Sequence, residues 1–242
     1  MIHSPDTTRR VAWRGGALLA LVLLLALWIA ACAPAPTPAP TLAPTETPRT
    51  RALAALARAD HARALDNLDQ AIAEYSRAIE LAPDLAAAYA GRGTVYRAKD
   101  QLDAALTDWD RALTLDPNQA QVFLQRGAIY FQKQQDQRAI DDYTQAIELG
   151  AQSATAYLER GQAHQRIGNL TPAAADYTAA LERDPRLARA YLGRGEIEQT
   201  QLAFDAAFAD FARAIELDSG SARAFVGRGA MYARRNQFVQ AL

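Results

Sequence analysis

Apolar and small residues recur along most of this chain on two superimposed spacings. Within short windows they fall three and four residues apart, as in Tyr89, Gly93 and Tyr96, or Ala105, Trp109 and Ala112. That spacing places them on one stripe of a helix, so these windows predict amphipathic helices. Over longer distances the stripe itself repeats. Gly93, Gly127, Gly161, Gly195 and Gly229 are each 34 residues apart, with an aromatic four positions earlier at Tyr89, Phe123, Tyr157, Tyr191 and Phe225. Ala105, Ala139, Ala173, Ala207 and Ala241 follow on the same period. Trp109, Tyr143, Tyr177 and Phe211 come next, then Ala112, Ala146, Ala180 and Ala214. Pro83, Pro117 and Pro185 close three units, and Ala151 and Ser219 hold the proline position in two others. A fixed period of this size means a stack of small structural units, not one closed core.

The pattern Tyr89-x-x-Arg92-Gly93-x-x-Tyr96, then Ala105-x-x-x-Trp109, then Pro117, resembles the tetratricopeptide repeat. The resemblance implies an all-α fold, a right-handed solenoid of antiparallel helix pairs with one concave and one convex face. Units of about 52–85, 86–119, 120–153, 154–187 and 188–221 are expected, with an incomplete unit at 222–242. The first unit diverges, with Ala59 and Ala62 where glycine and tyrosine are expected, as suits an end that lacks a neighbour on one side. Glycine costs about 1 kcal/mol inside a helix, so its recurrence predicts close approach of a second helix. The final residues, Ala241-Leu242, fall early in an expected second helix, so the chain reads as the front part of a longer protein.

The first 50 residues have a different character. Arg9, Arg10 and Arg14 precede an uncharged run over 15–31, then come Cys32 and a stretch alternating Ala, Pro and Thr. A basic flank followed by an apolar run is the layout of an export signal, and the length of the run leaves a signal peptide and a short membrane anchor both open. Ile29-Ala30-Ala31-Cys32 resembles the lipobox of bacterial lipoproteins. That resemblance implies cleavage after residue 31 and a lipid on Cys32, with localisation at the cell envelope. Either reading sends the remaining chain out of the cytoplasm, because basic flanks stay inside. Residues 32–50 read as a polyproline-type tether of up to about 55 Å at 3.1 Å per residue, and residues 51–242 as the repeat domain.

Composition removes several function classes. With 26 Lys+Arg against 27 Asp+Glu the net charge is −1, too balanced for nucleic-acid capture. One cysteine and three histidines exclude a disulfide framework and a Cys-rich zinc module. No nucleophile–base set, phosphate-binding loop or metal spacing is present, so no cofactor, metal or enzymatic activity is expected of these residues. An arginine precedes each repeated glycine (Arg92, Arg126, Arg160, Arg194, Arg228), and an acid precedes each second-helix aromatic (Glu74, Asp108, Asp142, Asp176, Asp210). Pairing each acid with the arginine 18 residues later uses all ten, and predicts an ion-pair ladder between successive units.

The resemblance further implies a concave groove lined by first helices, which would bind a protein or peptide partner. Its candidate residues are Ala90, Thr94 and Arg97, then Leu124, Ala128, Phe131 and Gln132. The later units contribute Leu158, Gln162, Gln165 and Arg166, then Arg189, Leu192, Glu196 and Gln199. Leu124, Leu158 and Leu192 form either a ligand stripe or packing beneath the helices, and Phe131 is expected to be an exposed contact. The lysines and asparagine with which some members grip a terminal carboxylate are replaced here by leucine, alanine and glutamine. His164 and Glu198 interrupt a register of tyrosines, with His164 expected to pack with its nitrogens satisfied. The function expected is a membrane-tethered, extracytoplasmic scaffold or adaptor. The rival is the substrate-recruiting front of a longer enzyme or sensor.

Overall fold

The computed structural model describes residues 46–241, with side chains as far as 234; the apolar run, Cys32 and most of the proline-rich stretch lie outside the described residues. Among the described residues there are eleven helices and no strand. They are α1 (Pro48–Ala64), α2 (Leu68–Leu81), α3 (Ala86–Ala98), α4 (Leu102–Leu115), α5 (Ala120–Gln132) and α6 (Asp136–Glu148). The series continues with α7 (Ala154–Arg166), α8 (Leu170–Arg183), α9 (Ala188–Thr200), α10 (Phe204–Leu217) and α11 (Ala222–Ala241). Odd-numbered helices are the first and even-numbered the second of each pair, and sequential helices pack on one another as the 34-residue period requires.

Two boundaries differ from expectation. Helix α1 begins at Pro48, ahead of residue 51, because Thr47 caps it by accepting from Thr50 N at 3.1 Å and proline suits the first helical position. Helix α11 continues to Ala241, where the period calls for a turn and a new helix.

Each second helix buries a small–aromatic–small stripe. Ala71, Tyr75 and Ala78 in α2 recur as Ala105, Trp109 and Ala112 in α4, and all six are fully buried. The alanines let the first helix approach, and the aromatic fills the space between pairs. At Gly93 the approach is so close that a β-carbon would lie 2.6 Å from Trp109 Nε1, which is why glycine stands there despite its helical cost.

The turns inside the pairs share one construction. Asp66, Asp100, Gln134, Gly168 and Leu202 all have positive φ, between 58° and 81°. The next residue's N–H reaches back to a carbonyl five positions earlier, as from Gln101 to Tyr96 O at 2.9 Å and from Asn169 to His164 O at 2.9 Å. This left-handed cap satisfies the carbonyls that a helix end leaves free. Between pairs, Pro83, Pro117 and Pro185 offer no N–H. At the equivalent place Ala151 donates to Ala146 O at 2.9 Å after Gly150 at φ 97°, so the same stop is reached by a different cap.

The arginine–acid ladder exists, but its partners lie inside the pairs. Arg126 Nε and Nη2 donate to the two oxygens of Asp142 at 2.8 and 2.6 Å, and Arg160 and Arg194 grip Asp176 and Asp210 in the same two-pronged way. The separation is 16 residues, not 18. Antiparallel helices face each other at positions equidistant from their turn, and each arginine and acid stand eight residues from the positive-φ residue. The arginine still ties neighbouring units, through its third nitrogen. Nη1 of Arg92 donates to Ser76 at 2.9 Å, that of Arg160 to Thr144 at 3.2 Å, and that of Arg126 to Asp110 at 2.6 Å. Burial pushes the Asp142 carboxyl upward against the pull of Arg126. A separate set of pairs, Lys99 with Asp69, Lys133 with Asp103 and Arg166 with Asp136, crosses between units near the hairpin turns.

Candidate functional site

The odd-numbered helices bring most of the expected groove residues onto cavities of one face. One cavity of about 330 Å³ is bounded by Arg97, Leu124, Ala128, Gln121, Gln125 and Glu159, among others. A second, about 420 Å³, has Phe131, Gln162, Gln165, Arg166, Arg189, Leu192 and Glu196 on its walls, with Tyr177 and Arg223. Gln199 borders a third of about 350 Å³, together with Val226 and Arg223. Ala90 and Thr94 serve the helices: Ala90 O accepts from Trp109 Nε1 at 3.2 Å and from Thr94 Oγ1 at 3.0 Å. Gln132 is exposed and borders none of these three cavities.

Packing decides the place of three of these residues. Leu158 is 3% exposed, so it belongs to the core beneath the groove and interrupts the leucine stripe; Leu124 and Leu192 are half-buried. Phe131 is not a free aromatic. It packs against the cluster of Ala139, Ile140, Tyr143 and Ala163, and the Arg166 guanidinium lies 3.7 Å from its ring centre. Arg166 is fixed there by Asp136 and by Phe131 O, so ring and cation form a wall of the groove. His164 packs as expected, but its Nδ1 is buried without a hydrogen-bond partner, and burial lowers its pKa.

Polar groups hold the groove floor together across units. Arg189 donates to Gln162 at 2.9 Å, Gln165 to Glu196 at 3.0 Å and Arg223 to Glu196 at 2.9 Å, and Thr94 Oγ1 lies 3.3 Å from Gln125 Oε1. Second-helix tyrosines reach the same floor: Tyr75 donates to Asp60 at 2.6 Å, and Tyr177 donates to Gln165. Twelve residues before Tyr143, where Tyr177 finds Gln165, stands the ring of Phe131. Tyr143 Oη is accordingly buried with no hydrogen bond of ordinary geometry and faces the Glu159 carboxylate, and burial and that charge push its pKa above the ordinary range.

Glu159, Gln121, Gln125, Gly193 and Arg223 were not anticipated as groove residues. Arg223 was legible as the 34-residue equivalent of Arg189. Glu159 and Gly193 share a register that faces the aromatic of the preceding second helix; a β-carbon at Gly193 would lie 2.4 Å from Tyr177 Cζ. Burial pushes the Glu159 carboxyl upward, while Tyr143, Arg189 and Arg97 pull it down. The Arg97 side chain is exposed, and its guanidinium makes no hydrogen bond or ion pair with any described residue. Among the described residues no group of His, Cys, Asp and Glu is arranged to hold a metal, and no helix is long and apolar enough to cross a membrane.

The TPR repeat model matches residues 60–99, 93–134 and 127–168, and a tetratricopeptide repeat model matches 158–222. No curated protein matches the chain. Among solved structures it is similar to YrrB, a TPR protein with an unusual peptide-binding site: the TM-score is 0.68 at 24% identity, covering 74% of this chain and 92% of that one. MamA superposes with a TM-score of 0.63 at 23% identity over 72% and 94% of the two chains. PilF of Pseudomonas aeruginosa gives 0.62 at 15% over 78% and 86%. These likenesses concern the fold. Together with repeat matches from residue 60 to 222, they place the chain in the tetratricopeptide repeat family, whose domains bind protein or peptide partners.

Proposed function

We propose that this protein is a membrane-tethered, extracytoplasmic scaffold that holds a partner protein by an extended segment laid in the groove of the first helices. The observation that carries the reading is the pair of cavities on α3–α7 and α5–α11, walled by side chains from successive units. An extended peptide fits such a surface because the same kind of contact recurs unit after unit. Repetition of the Arg–Asp pair in four hairpins supports a structural role for those charges, and a binding role for the chain in preference to a catalytic one. Tethering rests on the basic flank, the uncharged run over 15–31 and the lone Cys32 that follows it. Two or more acyl chains at that cysteine would anchor the chain stably.

The test of groove binding is site-specific photo-crosslinking in cells, with the reactive residue at Gln121 in the groove or at Asp141 on α6 outside it. Partner adducts are expected from position 121 only; adducts from position 141 alone overturn the reading. Fatty-acid labelling that persists in Cys32→Ala, or is missing from the unaltered chain, overturns the lipid tether.

A further inference from the structure

The near-neutral chain is electrically two-sided. The five second helices, α2 to α10, carry three, three, four, two and three acids in chain order, and one arginine each. The first helices carry fifteen arginines and only four acids, Asp60, Glu159, Glu196 and Glu198. Part of this surplus is neutralised by the hairpin pairs, which take one arginine from each of α3, α5, α7 and α9. Of the rest, Arg97, Arg166, Arg189 and Arg223 border the groove cavities, and Arg166 is paired with Asp136. Asp60 is already met by Arg63 and Tyr75, and Glu196 by Arg223 and Gln165. Glu159 lies in the field of both Arg97 and Arg189. Each of these three groove acids is thus answered by arginine, Arg97 has no ion-pair partner among the described residues, and Arg189 has only the neutral Gln162. Arg97 and Arg189 therefore leave the groove with guanidinium donors that no carboxylate among the described residues takes up.

We propose that the groove takes an extended acidic segment of a partner protein, with side-chain carboxylates of that segment set on Arg97 and Arg189. This rests on the groove reading above and adds the chemistry of the ligand. Guanidinium pairs carboxylate through parallel hydrogen bonds, and a groove of one sign attracts its ligand from beyond contact distance. The acidic outer helices repel the same segment, so the fold steers it to one face.

The test uses the full chain in non-ionic detergent and fluorescent peptides with both ends blocked, alternating alanine with glutamate, glutamine or lysine. Blocked ends remove the terminal carboxylate as a ligand. The glutamate peptide is expected to bind at least about tenfold more tightly than the other two, and to weaken steeply as salt is raised. Arg97→Gln with Arg189→Gln should abolish that preference, while Arg111→Gln on α4 should leave it intact. Equal or tighter binding of the glutamine or lysine peptide overturns the acidic inference, as does failure of all three to bind. In those cases crosslinks from position 121 leave the groove reading standing. Glutamate-peptide binding that survives the double substitution and falls with Arg111→Gln overturns both.

Discussion

Arg92 and Asp108 stand eight residues to either side of Asp100, the positive-φ residue of the turn between them, and meet through hydrogen bonds of 2.7 and 2.8 Å. The symmetry recurs about Gln134, Gly168 and Leu202. It makes the pair a property of the hairpin and fixes which residues must couple energetically. In a double-mutant cycle, Arg126→Met and Asp142→Asn should couple by about 2 kcal/mol. Asp142→Asn with Arg160→Met should be additive within about 0.5 kcal/mol. Denaturant unfolding measures both, and the reverse order would show that the ladder runs between units.

Two glycines of one register should respond in opposite directions. Gly93→Ala puts a β-carbon into the Trp109 ring, and overpacking of this kind costs roughly 1–3 kcal/mol. At Gly229 no described residue lies within 4 Å of the new carbon, so Gly229→Ala should gain up to about 1 kcal/mol of helix propensity. Thermal unfolding of the two variants checks the contrast.

The tyrosine hydroxyls should also differ. Removing the Tyr177 hydroxyl breaks its bond to Gln165 and should cost about 1 kcal/mol. Tyr143→Phe removes a hydroxyl that makes no hydrogen bond of ordinary geometry and only faces Glu159, and should cost less than the loss of the Tyr177 hydroxyl.

Leu202 holds φ at 62°, a conformation that crowds a side chain, and its own side chain is largely exposed. Leu202→Gly should therefore raise stability by about 1 kcal/mol, giving this turn the residue that Gly168 already supplies to its neighbour. A fall in Tm would show that the leucine side chain contributes more than its backbone strain takes away.

His164 gives the stack a pH dependence. Its folded pKa lies below the ordinary 6.5, so the unfolded chain binds the proton more readily. Stability from this residue is full above that ordinary value and declines as pH falls below it, through the lowered folded pKa. His164→Tyr, which restores the residue of the neighbouring register, should flatten the fall in Tm on acidification. An unchanged slope would place the dependence elsewhere.

The fold was legible because the period is long, strict and physically motivated. Gly93 and Trp109 recur where two helices must touch, and no other arrangement uses them so consistently. The groove was read less well, for reasons visible at single residues. Phe131 looked free because the sequence does not show that Arg166, one unit later, is tied to Asp136 and lies on its ring. Leu158 shares a register with Leu124 and Leu192, yet it sinks into the core while they remain half-exposed. The ladder was misread because counting residues to use every charge ignores where the turn lies. Helix levels are set by distance from the turn, and the positive-φ residues mark that point.

The mirror arrangement of arginine and acid about the hairpin turn divides the loops into two classes of tolerance. Adding one residue beside Asp100 or Gln134 would shift the opposing helices by one position and rotate every guanidinium away from its carboxylate. Adding one between units, near Pro117 or Ala151, leaves each clasp whole and strains the contacts between units, such as the bond from Nη1 and the Lys133–Asp103 and Arg166–Asp136 pairs. Peptide tags, protease sites or reporter dyes inserted into this array should be accepted at the second class of loop and rejected at the first.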